Sequence, residues 1–169
     1  PSNAIFVSLH GNASTGAWAK ARGVEVYHAG NASAKSKELA LLLTNQIYND
    51  VKKIDSGFKN RGRKSANFTV IYKALMKAVL IEHGFYDNKE DLALMQNHRN
   101  IFVEADCKAI CKYFGVTYKA PNTSKSVAST SNIPFSTYSR RLHCSKWPTI
   151  PYLYFEAPNN APLRSSSSP

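Results

Sequence analysis

IFVSLHGN, residues 5–12, is the stretch on which the fold turns. Residues 5–9 are apolar except for Ser8, the composition of a short strand covered on both faces in a parallel sheet. The run then breaks into His10-Gly11-Asn12. A second run of the same kind, AVLI at 78–81, breaks into Glu82-His83-Gly84. GVEVYH at 23–28 and FTVIY at 68–72 are two further strand candidates, rich in β-branched and aromatic residues.

Helical spacing fills the intervals. Leu39, Leu42, Leu43, Ile47 and Val51 recur at three- and four-residue steps, which predicts a helix over 34–53 with one face on a sheet. Asn88 is a suitable N-cap, followed by Glu90 and Asp91 in a first turn where acids suit the helix dipole. Val103, Cys107, Ile110, Cys111 and Phe114 mark the stripe of a last helix that stops at Gly115. Strands alternating with helices predict an α/β fold, a mostly parallel twisted sheet flanked by helices.

Composition places the boundary. All eight glycines lie at or before Gly115, whereas seven of the eight prolines lie at or after Pro121. The segment PNTSKSVASTSN is too polar to bury enough apolar area to order itself. The reading is therefore a folded unit over 1–118, a Ser/Thr/Pro-rich linker over 119–133, and an incomplete tail over 134–169 whose aromatics, among them Phe135, Trp147 and Tyr154, fit the start of a truncated second module. The linker is expected to be the first site of limited proteolysis, with cleavage between about residues 120 and 132 read by mass spectrometry. Protection of that stretch would show instead that the tail is docked.

Charge narrows the partners without choosing one. Lys and Arg number 22 against 11 Asp and Glu, a formal charge of +11 in 169 residues, which favours polyanions such as nucleic acid, acidic lipid or anionic wall polymer. The excess is spread, +7 over residues 1–119 and +4 over the rest, rather than focused in one stripe. No apolar run approaches the roughly 18 residues of a membrane span. Three cysteines argue against a disulfide scaffold, and Cys107 and Cys111 read as small buried hydrophobes. The sequence begins with Pro1, so no leader can be read from it.

Open α/β sheets place their sites beyond the carboxyl ends of the strands. If the strands at 5–9 and 78–81 are parallel neighbours, His10 and Glu82 meet at one rim, a neutral imidazole suited to zinc beside a carboxylate able to take a proton from water. Strand-end His and Glu residues are more often solvated or hydrogen-bonded than catalytic, so position alone leaves both readings open. His28 ends another strand candidate and could join the rim. His83 should face away from Glu82, because side chains alternate along a strand; His98 and His143 have no special claim.

FVSLHGNAS, GVEVYH, SKELALLLTNQI, RGRKSANFTVIY and AVLIEHGFYDNKEDLALM follow one another over residues 6–95. Together they resemble the zinc-dependent N-acetylmuramoyl-L-alanine amidases of bacterial autolysins and phage endolysins, over roughly residues 4–115. The resemblance implies a hydrolase that cuts the amide between N-acetylmuramic acid and L-alanine of the peptidoglycan stem. His10 takes the position of a Zn²⁺ ligand and Glu82 that of the catalytic acid/base. It also implies that residues 1–118 are the C-terminal part of the catalytic domain, lacking a first strand–helix segment with a zinc-binding histidine and glutamate. His10 is then the one family ligand present, and the chain by itself is expected neither to bind zinc tightly nor to hydrolyse peptidoglycan.

The expected partner is bacterial peptidoglycan, with no nucleic acid or membrane, the place of action is the cell wall, and the intact parent is expected to be a monomer. The rival is a non-catalytic basic module that binds cell wall or nucleic acid. Lys77 and Lys89 stand where the family commonly has proline, and Asn67 lies in its Asn-Phe block.

Overall fold

The computed structural model describes residues 4–15, 17–120 and the strand 152–156. The elements run β1 (Ala4–Asn12), β2 (Val24–His28), α1 (Ala34–Val51), β3 (Asn60–Ser65), α2 (Thr69–Tyr72), β4 (Lys77–Phe85), α3 (Lys89–Asn97), α4 (Arg99–Phe114) and β5 (Tyr152–Glu156). They make one sheet in the order β3-β2-β4-β1-β5. Pairs β1–β4 and β2–β3 are parallel, whereas β2–β4 and β1–β5 are antiparallel, so the sheet is mixed.

One face of the sheet carries the main core. Ile5, Val7, Val24, Val26, Val79 and Ile81 alternate inward along three strands and meet Leu39, Leu43, Ile47 and Val51 of α1 and Phe102, Ala105, Ala109 and Ile110 of α4. Completely burying one such aliphatic side chain contributes about 1.5–3 kcal/mol. Ser33 caps α1 by accepting from the Ser36 backbone N–H at 3.2 Å, and Asn88 caps α3 by accepting from that of Asp91 at 3.0 Å. The stripe of α4 is turned from its expected position: Val103 is half exposed, the buried positions are Phe102, Ala105, Asp106, Ala109 and Ile110, and Cys107 and Cys111 are half-buried free thiols rather than buried ones. Apolar spacing located the helix, but packing against α1 selected a face one residue away.

The opposite face carries a smaller cluster, in which Ile71 packs on Ala78 and Leu80 with Phe6 and Tyr27 alongside. Ile71 belongs to α2, which corrects the strand expected over 68–72. The β-branched composition suits a strand, but β3 already occupies the place beside β2. Ala66 N–H closes onto the His28 carbonyl at 3.0 Å, and the chain turns off the sheet into one helical turn that buries Ile71 and exposes Phe68 and Tyr72.

β3 itself has no apolar periodicity. NRGRKS is an edge strand, and its basic residues discourage pairing with another chain. Its register on β2 slips between Val24↔Asn60 and Val26↔Arg63, two residues against three, with Gly62 at φ +80° supplying the bulge.

Gly23 has φ +107°, and a Cβ there would lie 2.1 Å from the Lys59 carbonyl oxygen. Gly23→Ala should therefore lower stability by at least about 2 kcal/mol, since positive φ and a backbone clash act together. Urea denaturation checks this, and an unchanged midpoint would contradict the backbone described.

The linker 119–133 and the tail 134–169 lie largely outside the described residues, including Phe135, His143 and Trp147. The strand β5 is the exception, running antiparallel to β1 with Ala4↔Glu156 and Ser8↔Tyr152 in register.

Candidate active site

β1 and β4 run side by side, and their register sets His10 directly against Glu82. Directly paired residues share a sheet face, so the two side chains stand together at the carboxyl ends of their strands. β2 lies on the other side of β4 and places Glu25 against Glu82 in turn. Imidazole, carboxyl and carboxylate thus form a row across three strands.

Each member of the row has a distinct environment. The His10 Nε2 shares a 2.7 Å hydrogen bond with the Ser8 hydroxyl, two residues back on the same face. Burial lowers the His10 pKa, aided by the nearby His83, so the ring is neutral at physiological pH and able to offer a lone pair. Glu82 is pushed up to about 7, chiefly by burial and then by the adjacent Glu25, with His83 opposing. Its Oε2 is buried and has no hydrogen-bond partner among the described residues.

Glu25 is 2% exposed and fully satisfied. Its Oε1 accepts from Asn12 Nδ2 at 2.8 Å and from the Tyr27 hydroxyl at 2.7 Å. Its Oε2 accepts from Arg61 Nε at 2.6 Å and Lys64 Nζ at 2.5 Å. Burial alone would lift the Glu25 pKa, but the bonds from Lys64, Arg61 and Tyr27 outweigh it and hold the group ionised. The same contact with Glu25, added to burial, lifts the Tyr27 hydroxyl far above its usual value.

His83 points the other way, as strand alternation requires. Its Nε2 and Asp106 Oδ2 are 2.9 Å apart, and its ring meets Phe102 edge-on at 5.4 Å. Burial disfavours the charged ring, but Asp106 more than compensates and raises the pKa. This pair fastens α4 to the strand that presents Glu82.

His28 does not join the rim. β2 is antiparallel to β4, so the end of β2 lies toward the beginning of β4, where His28 Nδ1 contacts the Ala29 carbonyl at 2.8 Å. Asn67 is also elsewhere, its Oδ1 accepting from the Gly30 N–H at 2.9 Å.

The pairing of His10 with Glu82 follows the expectation from the two strand ends. Glu25, Asn12, Tyr27, Arg61 and Lys64 were not singled out. A lone carboxylate within VEVYH signals a buried charge needing cations, but the direction of β2, which chooses its neighbours, has no signature in the residues.

The row supplies one neutral imidazole and one carboxyl that titrates near neutrality. No group of three His, Cys, Asp or Glu side chains able to hold a metal converges among the described residues. His10 is the one imidazole in the row and Glu25 is already held by four donors, so these residues do not amount to a zinc site, which generally needs about three protein donors.

Residues 2–112 match the family model described as N-acetylmuramoyl-L-alanine amidase. The chain is 38% identical over 94 residues to an endolysin of Bacillus phage SPP1, covering 54% of this chain and 32% of that protein. It is 27% identical over 138 residues to the N-acetylmuramoyl-L-alanine amidase CwlM of Bacillus licheniformis, covering 82% of this chain and 49% of the relative. Among solved structures it is similar to the N-acetylmuramoyl-L-alanine amidase AmiC2 of Nostoc punctiforme, with a TM-score of 0.57 and 29% identity, over 66% of this chain and 58% of that one. The chain thus spans 32% and 49% of the lengths of these two curated relatives.

Proposed function

Because the chain belongs to the N-acetylmuramoyl-L-alanine amidase family, we propose that its His10–Glu82 rim serves peptidoglycan hydrolysis at the amide joining the lactyl group of N-acetylmuramic acid to L-alanine. The observation that carries this reading is the register of β1 and β4, which sets a neutral imidazole beside a carboxyl with an unpartnered buried oxygen. The reading extends to the whole parent as a lytic or autolytic enzyme acting at the bacterial cell wall.

Amide hydrolysis needs a base to activate water and an acid to protonate the departing nitrogen, because an amide anion is too poor a leaving group. A single carboxyl near pKa 7 can do both, taking a proton from the attacking water and delivering it to the amine. Glu82 is the residue we assign to that task. His10 is assigned as a donor to the family's Zn²⁺, which in such enzymes supplies Lewis acidity. The described residues offer that ion one donor of the right kind, so zinc dialysed against the chain should be retained below one equivalent. Retention of a full equivalent, measured by atomic absorption, would show that residues outside the described set complete the site.

The ionised form of Glu82 is the base, so the rate of hydrolysis should rise with pH and level off above about 7, falling roughly tenfold per unit below it. A profile flat from pH 5 to 8 would remove Glu82 from the reaction. The reading as a whole is tested by incubating purified cell walls with the full-length parent and zinc and counting new L-alanine amino termini. New reducing sugar ends without such termini would mean a glycosidase instead.

A further inference from the structure

We propose that Arg61 and Lys64 form an anion subsite beside Glu82 that receives a carboxylate of the stem peptide beyond its L-alanine. The proposal rests on the amidase reading for the identity of the ligand, and on the following features for the existence of the subsite.

Two cations converge on one carboxylate. Glu25 Oε1 is already satisfied by the neutral donors Asn12 and Tyr27, so a single cation on Oε2 would neutralise the group. Arg61 and Lys64 both bind Oε2, one positive charge more than Glu25 itself requires.

Neither cation is used up. Arg61 gives Glu25 its Nε, and its terminal guanidinium nitrogens make no hydrogen bond among the described residues; Lys64 gives one of its three N–H donors. Their side chains are 34% and 35% exposed, whereas the carboxylate they hold is 2% exposed, so the cations form the outer layer and can still be reached by a ligand.

Their convergence depends on a specific backbone device. Residues three apart on a regular strand project to opposite faces. The extra residue of the bulge at Gly62 restores Arg61 and Lys64 to the same face. Stacking of the Arg61 guanidinium over the Phe85 ring at 4.9 Å and of the Lys64 ammonium over Tyr27 at 5.9 Å then limits their freedom, so a ligand need not order them.

The position fits an acidic peptide. Both cations reach back to Glu25, one strand over from Glu82, and neighbouring strands lie about 4.8 Å apart. A peptide whose scissile bond faces Glu82 and whose chain crosses toward β3 therefore brings a carboxylate one or two residues on within their reach. A planar guanidinium fork can bind such a carboxylate in bidentate fashion.

The test compares two ligands that differ by one charge and have the γ-carboxyl of the second residue blocked as a methylamide, N-acetylmuramoyl-L-alanyl-D-glutamate with its α-carboxylate free and the D-isoglutamine form in which that group is an amide. Their affinities for the full chain are measured by NMR titration at low salt. The acid should bind about tenfold more tightly, the usual scale of one charge-assisted pair.

That ratio should fall below about threefold in Arg61→Gln and in Lys64→Gln, and it should survive in Glu25→Gln, which frees both cations. Each cation variant must still bind the amide ligand about as the wild type does, which a general loss of structure would abolish. Equal or undetectable binding of the two ligands by the wild type, or a ratio unchanged in both cation variants, overturns the subsite. Wall hydrolysis is read separately in the full-length parent: an acid preference with no new L-alanine amino termini from that parent would sink the amidase reading and leave the subsite, and hydrolysis with no preference would do the reverse.

Discussion

Glu82→Gln in the full-length parent should lower wall hydrolysis by at least about 10²-fold, the usual scale for removing a general base, while the protein melts at or above the wild-type temperature at pH 8. The two halves of this expectation have one cause. A buried carboxyl raised to about 7 from an ordinary value of 4.5 binds its proton more tightly in the folded state. Between those values the folded protein therefore holds more protons than the unfolded chain, so this group's contribution makes stability fall as pH rises through the window. Above about pH 7 the folded state carries a carboxylate beside the ionised Glu25 with one oxygen unpartnered, a burden that the neutral glutamine relieves. Loss of hydrolysis with a lowered melting temperature would mean that Glu82 is a structural anchor. Retained hydrolysis would remove the residue from the chemistry.

Asp91→Ala has the largest expected effect on stability, about 3–5 kcal/mol, and should lower the urea midpoint sharply. Asp91 is fully buried in the first turn of α3. Its Oδ2 accepts from the Gly23 N–H at 2.7 Å and the Phe85 N–H at 3.1 Å, and its Oδ1 accepts from Arg22 Nε at 3.1 Å. One carboxylate therefore joins the entry to β2, the exit of β4 and the start of α3. Alanine leaves two buried backbone donors unanswered and reduces Arg22 to its remaining partner, Asp55, at 2.6 Å. Asp91→Asn keeps an acceptor oxygen and should cost less than half as much. If the alanine and asparagine proteins unfold at the same urea concentration as the wild type, the junction is not what holds these elements together.

The contrast between these two acids shows how far the residues alone could be read. Both strand-end motifs, IFVSL-His10 and AVLI-Glu82, were legible because burial on both faces demands an uninterrupted apolar run, and its end is where polarity returns. Asn88 as a cap was legible for a local reason too, its bond to the Asp91 N–H spanning three residues. Glu25 was not, because its four partners come from β1, β2 and β3 and depend on the reversed direction of β2 against β4. The same reversal removed His28 from the rim. β3 escaped notice because an edge strand with a bulge needs neither alternation nor apolar residues, and FTVIY misled because β-branched residues tolerate a single helical turn that buries one of them.

The parallel pairing of β1 with β4 also governs when the site comes into being. His10 and Glu82 are more than seventy residues apart along the chain and yet adjacent, with β2, α1, β3 and α2 threaded between them. Contacts of such long range are late in folding, because the entropy of closing the loop opposes them before any reward arrives. Local structure such as α1 can form while the imidazole and the carboxyl are still strangers. During refolding, helical circular dichroism should therefore recover ahead of the upward shift of the Glu82 titration, so that the chemistry of this rim is acquired only once the central strands have closed on each other.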